Sequence, residues 1–97
     1  MSLKPKQKQY LRGLAHKLNP TIIIGNAGLS ESVIEEIKLT IAHHELIKVR
    51  INAGDRTARE EIIANIITEC DCEHVQTIGR VGIIYKTSEN KKIQLPR

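Results

Sequence analysis

Hydrophobic positions recur along the chain at helical spacing, then at strand spacing, and the alternation predicts seven elements. A first helix is predicted from Pro5, a residue type favoured at the first helical position. Tyr10, Leu11, Leu14 and Leu18 fall on one arc about 100° wide, which is expected to face the core. Lys8, Arg12 and His16 recur every four residues on a neighbouring stripe. Gly13 lies inside this helix at a cost of about 1 kcal/mol relative to alanine, and close packing is the account the sequence offers for it. Asn19-Pro20 ends the helix, because the residue before a proline avoids helical backbone.

A first strand follows at residues 21–25, where three consecutive isoleucines favour an extended, buried segment. Gly25 and Gly28 then bracket a two-residue insert. Ser30 is the N-cap of a second helix over residues 31–42, with Leu29 and Ile34 at the spacing of a hydrophobic staple and Val33, Ile34, Ile37 and Ile41 inward. Residues 45–52 form a second strand, Ile47, Val49 and Ile51 on one face and Leu46, Lys48 and Arg50 on the other. A third helix starts near Asp55 or at the Thr57-Ala58-Arg59-Glu60 capping box, with Ala58, Ile62, Ile63, Ile66, Ile67 and Cys70 as its apolar stripe. Two short strands, near residues 74–79 and 81–87, meet at a Gly79-Arg80 turn. The tail, residues 88–97, is polar and basic, with Ile93 and Leu95 as docking points.

The predicted order is α-β-α-β-α-β-β. Crossover helices imply that the first three strands are parallel in pairing or alignment, with right-handed connections. The tight turn makes the fourth strand antiparallel to the third. The expected fold class is therefore α/β, a two-layer sandwich with a mixed four-stranded sheet, built by residues 1–97 as a single domain. That length supports a modest core without disulfides or metals.

The segment Gly25-Asn26-Ala27-Gly28 is where chemistry is first sought. A helix N-terminus with unpaired N–H groups attracts anions, and glycine lets a phosphate backbone come close. The loop lacks the Gly-Lys-Ser/Thr ending of a P-loop and the three spaced glycines of a dinucleotide fingerprint. Its length fits a GxxG clamp on a nucleic-acid backbone. Taken alone, it is read as a plain strand-to-helix turn in which glycine relieves strain. Glu31, Glu35 and Glu36 also repel an incoming polyanion.

Charge changes the picture. The net charge is +4, but residues 1–17 carry +5 with no acid, residues 18–85 carry −4 and residues 86–97 carry +3. Basic ends around an acidic middle point to a polyanionic partner, nucleic acid before membrane, since no basic segment is amphipathic with bulky aromatics. No apolar run reaches the roughly 20 residues of a membrane span. The start Met-Ser-Leu-Lys-Pro lacks a secretory h-region, and Cys70 and Cys72 are too close to pair, so a reducing cytoplasm is expected.

Catalytic patterns are mostly missing. Cys70-Asp71-Cys72-Glu73-His74 has the wrong spacing for a zinc site, and Cys70 is assigned to the core and Cys72 to a loop. His43-His44-Glu45 lacks the second histidine of a zinc-protease helix, since Lys48 stands there. There is no GxSxG elbow. No catalytic residue, cofactor or metal is expected. Tyr10 and Tyr85 are the only aromatic residues, too few for a stacking platform of the RRM or OB type. A binder so built relies on phosphate, 2′-OH and shape, which favours structured RNA or its backbone. A protein-interaction module whose basic ends dock on an acidic partner is the other reading.

Five motifs then stand in order along the whole chain: Ala15-His16-Lys17-Leu18-Asn19-Pro20, Ile24-Gly25-Asn26-Ala27-Gly28-Leu29-Ser30, Glu45-Leu46-Ile47-Lys48-Val49-Arg50, Val75-Gln76-Thr77-Ile78-Gly79-Arg80 and Ile84-Tyr85-Lys86. Together they resemble the CRM domain (chloroplast RNA splicing and ribosome maturation), in the form of its free-standing bacterial YhbY-like members. The resemblance implies the α-β-α-β-α-β-β fold, similar to the C-terminal domain of a bacterial translation initiation factor. It implies RNA binding, in bacteria to precursors of the large ribosomal subunit, and in plant relatives a role in intron splicing. The RNA contact it implies maps to Gly25, Asn26, Ala27 and Gly28. Many relatives have a basic residue after the first glycine, where this chain has Asn26. The expected electrostatic support is Lys4, Lys6, Lys8, Arg12 and Lys17, with Arg80 and then Lys91, Lys92 and Arg97 as additions. The function expected is a cytoplasmic RNA-binding accessory protein of ribosome assembly, with ribosomal RNA or a pre-ribosomal particle as its partner.

Overall fold

The computed structural model describes residues 3–97; Met1 and Ser2, part of the expected 1–97 domain, lie outside the described residues. The elements follow the predicted order: α1 (Pro5–Ala15), β1 (Ile22–Ile24), α2 (Glu31–His44), β2 (Leu46–Ile51), α3 (Arg56–Cys70), β3 (Glu73–Ile78) and β4 (Val81–Tyr85). Local chemistry sets the helix starts. Ser30 Oγ accepts the Val33 N–H at 3.3 Å, and Asp55 Oδ1 accepts the Ala58 N–H at 2.8 Å. Of the two starts read for α3, Asp55 is therefore the cap and Thr57 lies inside the first turn.

The strands form one mixed sheet in the order β1-β2-β4-β3. β1 and β2 are parallel, while β4 runs antiparallel to both β2 and β3. The alternation of β2 sends Ile47, Val49 and Ile51 to one core and Leu46 to another. The larger core lies under α2 and α3, around Ile24, Ile37, Ile41, Ile66 and Ile84. The smaller one lies on the opposite face, where Leu11 and Ala15 of α1 meet Leu46, Val75, Ile83 and Tyr85. The sheet with α2 and α3 forms the two expected layers, and α1 adds a partial third on the other side.

Four readings of side-chain placement change. Leu11 is fully buried, but Tyr10, Leu14 and Leu18 are 42%, 37% and 39% exposed, and the second inward residue of α1 is Ala15. The helix stops at Ala15, before Asn19-Pro20, so Leu18 has left the helical arc. Ile23 is 64% exposed, because it turns to the face of the sheet that has no layer over β1, while Ile22 and Ile24 turn toward the core. Gly13 is exposed and a Cβ there meets nothing within 4 Å, so close packing does not explain it. Cys72 sits between α3 and β3, as a loop residue should, but it is buried in the main core beside Cys70. Burial raises both thiols, Cys72 to about 12, so neither is a ready nucleophile.

Leu11→Ala is expected to cost about 3 kcal/mol, because it opens the centre of a small core that cannot easily collapse. Leu14→Ala should cost well under half as much. Urea unfolding midpoints of the two variants check the reassigned face of α1.

The tail docks as expected through Ile93 and Leu95, which pack with Leu3 on the smaller core. A buried carboxylate fastens it. Glu45, fully buried at the end of α2, has φ 66°. Its carboxylate accepts the N–H groups of Ser88, Lys92 and Ile93 at 3.1, 3.1 and 2.8 Å, and the Ser88 hydroxyl as well.

Candidate nucleic-acid interface

The turn at Gly25-Asn26-Ala27-Gly28 sits where β1 hands over to α2. The Gly28 N–H donates to the Gly25 carbonyl at 3.0 Å and closes it. The two glycines have different roles. Gly28 has φ +75°, where a side chain strains the backbone, whereas Gly25 has no such requirement. A Cβ at either position meets open space, so both present bare backbone to solvent.

Sheet register brings other segments to this end. The Asn52 N–H donates to the Ile24 carbonyl at 2.8 Å, and the Ile51 N–H donates to the Arg80 carbonyl at 2.7 Å. The turn and the Gly79-Arg80 hairpin thus flank the end of β2, about 10 Å apart at two strand spacings. Three arginines that sequence reasoning did not single out join them. Arg50 Nε donates to Asn52 Oδ1 at 3.0 Å. Arg59, in the first turns of α3, donates to the Gly54 carbonyl at 3.0 Å, and Arg56 pairs with Glu60 at 3.2 Å. They lie in the acidic middle of the sequence, and only the parallel β1–β2 pairing reveals that they share an end with the glycine turn.

The basic residues of α1 divide. Arg12 and His16 border a hollow of about 320 Å3 whose other walls are Lys48, Gln76, Ile78 and Ile83 of the sheet. Lys8, one turn earlier on the same flank, stands close enough to His74 that its charge, after burial, helps hold that imidazole below its ordinary range. Lys4 is at the other end of α1, near the tail: its N–H donates to Gln7 Oε1 at 2.9 Å, and Gln7 Nε2 donates to the Pro96 carbonyl at 3.0 Å. Lys6 and Lys17 are exposed. The structure therefore gathers residues 25–28 with Arg80, sets Arg12 beside the open part of the sheet with Lys8 one turn earlier on the same flank of α1, and leaves Lys4 apart.

Folding also converts a charge pattern along the chain into one across the molecule. The α1 layer carries no acid, while α2 holds Glu31, Glu35 and Glu36 against Lys38, and α3 holds Glu60, Glu61 and Glu69 against Arg56 and Arg59. A polyanion is drawn to the α1 side and turned away from the outer side of α2 and α3. A cleft of about 600 Å3 between α3 and β3 is lined by Arg56, Arg59, Glu60, Ile63, His74 and Thr77 among others. Among the described residues, no three His, Cys, Asp or Glu side chains converge as a metal site requires, and no helix is long and apolar enough to cross a membrane.

Comparison with known proteins gives a consistent set of matches. Residues 3–86 match the family model of the CRS1 / YhbY (CRM) domain. The chain is 49% identical over 96 residues to an RNA-binding protein of Haemophilus influenzae, covering 99% of this chain and 97% of that one. It is 35% identical over 95 residues to the Probable RNA-binding protein YqeI of Bacillus subtilis, covering 97% and 99%. The solution structure of SAV1595 from Staphylococcus aureus matches with a TM-score of 0.84 at 38% identity, over 98% of this chain and all of that one.

Proposed function

The chain belongs to the CRS1 / YhbY (CRM) domain family, and on that premise we propose that residues 1–97 act as a single RNA-binding domain in the assembly of the large ribosomal subunit. The observation that supports the proposal is that the acid-free α1 lies on one face of the sheet, and the bare 25–28 backbone and Arg80 lie at the sheet end that α1 leaves uncovered. In this reading Gly25, Asn26, Ala27 and Gly28 approach the RNA backbone. Lys8, Arg12 and Arg80 neutralise phosphates beside it, and Lys4, Lys6 and Lys17 extend the field. Arg50 and the first-turn arginines of α3 add to the same end. Asn26 leaves the turn without a side-chain charge of its own, so backbone N–H groups and the neighbouring arginines supply its attraction. The relatives are named for RNA binding. The ribosomal target follows what the family resemblance implies. The protein acts by binding, without catalysis or cofactor, and works in the cytoplasm, where its two buried thiols stay reduced.

The test is binding to large-subunit ribosomal RNA fragments across salt. Wild type is expected to show a log–log slope of about −4, as five or so neutralised phosphates give. Gly28→Asp, which keeps a residue type that accepts positive φ but sets a carboxylate in the turn, is expected to weaken binding about tenfold. In cell extracts the protein should sediment with large-subunit precursors. A flat salt response with retention on an acidic protein partner would replace this reading with the protein-docking one.

A further inference from the structure

The α1 face of the sheet is only half covered. At its uncovered end the register aligns one residue from each strand: Ile23 opposite Arg50, Arg50 opposite Val81, and Val81 opposite Ile78. All four point to the side that carries Leu46, Lys48 and Ile83, since they lie an even number of residues from these along their strands or directly opposite them. Ile23 and Ile78 are 64% and 56% exposed. Two isoleucines so exposed on a basic face have no role in holding phosphates. Arg50, between them, is drawn by Asn52 toward the glycine turn. The strand residues around the row bring no carboxylate, and the hollow beside it is edged by Arg12 and Lys48.

We propose that this Ile23–Arg50–Val81–Ile78 row is a platform for the bases of an unpaired RNA segment whose backbone passes the 25–28 turn. This rests on the RNA-binding reading and names the kind of RNA. The row is about 14 Å long, the length of about four stacked nucleotides. A guanidinium plane carries a base as an aromatic ring does, and the flanking isoleucines cover the base faces that unpairing exposes. A duplex hides those faces and offers only phosphates and 2′-OH groups, so it gains nothing from the isoleucines. The shortage of aromatic residues therefore does not confine this protein to RNA backbone.

The experiment compares a short unstructured RNA with an RNA duplex of equal phosphate number, by fluorescence anisotropy at several salt concentrations. Ile23→Ser/Ile78→Ser leaves the charge unchanged, and Arg50→Lys keeps the charge but removes the plane. Both are expected to weaken binding to the unstructured probe about tenfold, the scale of stacking a single base, with the salt slope unchanged and duplex binding within about twofold. Equal losses on both probes, or no loss on the unstructured one, overturn the platform while leaving RNA binding in place. Failure of wild type to bind either probe overturns both. A wild-type dimer in sedimentation that the double serine variant splits makes a second copy of the chain the occupant and also overturns it. Circular dichroism confirms that each variant is folded.

Discussion

Lys8→Glu/Arg12→Glu is expected to weaken RNA binding about a hundredfold at moderate salt and to make the log–log salt slope shallower by about 2, one for each phosphate that is no longer neutralised. Both residues lie on one flank of α1, Arg12 at the hollow with His16 and Lys48, and Lys8 one turn earlier, near His74. Reversal there removes two attractions and adds two repulsions in a layer that otherwise has no acid. The fold should tolerate it: an acid at position 8, in the first half of α1, suits the helix dipole, and an acid in place of Arg12 in the last turn costs about 0.5 kcal/mol. The control is Lys38→Glu on α2, whose lysine already pairs with Glu35 at 3.6 Å. It makes the same charge change as Arg12→Glu on the acidic side of the molecule, and should cost less than about twofold. Equal losses from Arg12→Glu and Lys38→Glu would mean that net charge alone governs binding, with no located surface.

Glu45→Ala is expected to destabilise the protein by about 3 kcal/mol, lowering Tm by about 15 °C for a domain of this size. Alanine keeps the positive-φ strain that glutamate already bears, so the loss reports the carboxylate. Four donors converge on it, three of them tail N–H groups that lose this acceptor when it is gone. Glu45→Gln should rescue little, because an amide turns an NH2 group toward those donors. Burial by itself raises the Glu45 carboxyl, but the hydrogen bonds from Ser88, Ile93 and Lys92 outweigh it and hold the group below the ordinary carboxylate value. A carboxyl that binds its proton more weakly when folded stabilises the fold fully above the unfolded value of about 4.5, and that stability is lost as pH falls through the folded value. Urea titrations of wild type and Glu45→Gln should therefore differ most near neutrality and converge in acid. A constant gap across pH would show that the carboxyl is not the titrating latch.

The helix and strand order was legible because each element carries its own period and its own start signal. Ser30 and Asp55 cap the helices that follow them, and the α2 and α3 stripes bury the isoleucines they display. The first helix misled for a physical reason. Tyr10, Leu11, Leu14 and Leu18 satisfy a helical arc, yet α1 rests on a part of the sheet narrow enough to bury only Leu11 and Ala15. Periodicity names a face and says nothing of how wide a surface waits for it. The same limit hid Ile23. Three isoleucines in a row read as a buried strand, but burial on both faces needs a layer on each side, and β1 has one only toward α2 and α3.

The sequence by itself determined the alternation of elements, the glycine turn between a strand and a helix, the acid-free first segment and the family resemblance, because these depend on residues close together in the chain. Tertiary structure alone decided which of those features meet. Parallel pairing of β1 with β2, and insertion of β4 beside β2, set the glycine turn, Arg50 and Arg80 at one end of the sheet. Packing α1 opposite α2 and α3 turned basic ends and an acidic middle into a basic side and an acidic side. It also buried Glu45 forty-odd residues from the tail that its carboxylate holds. Such meetings arise from strand register and layer order, which no local window of the chain contains.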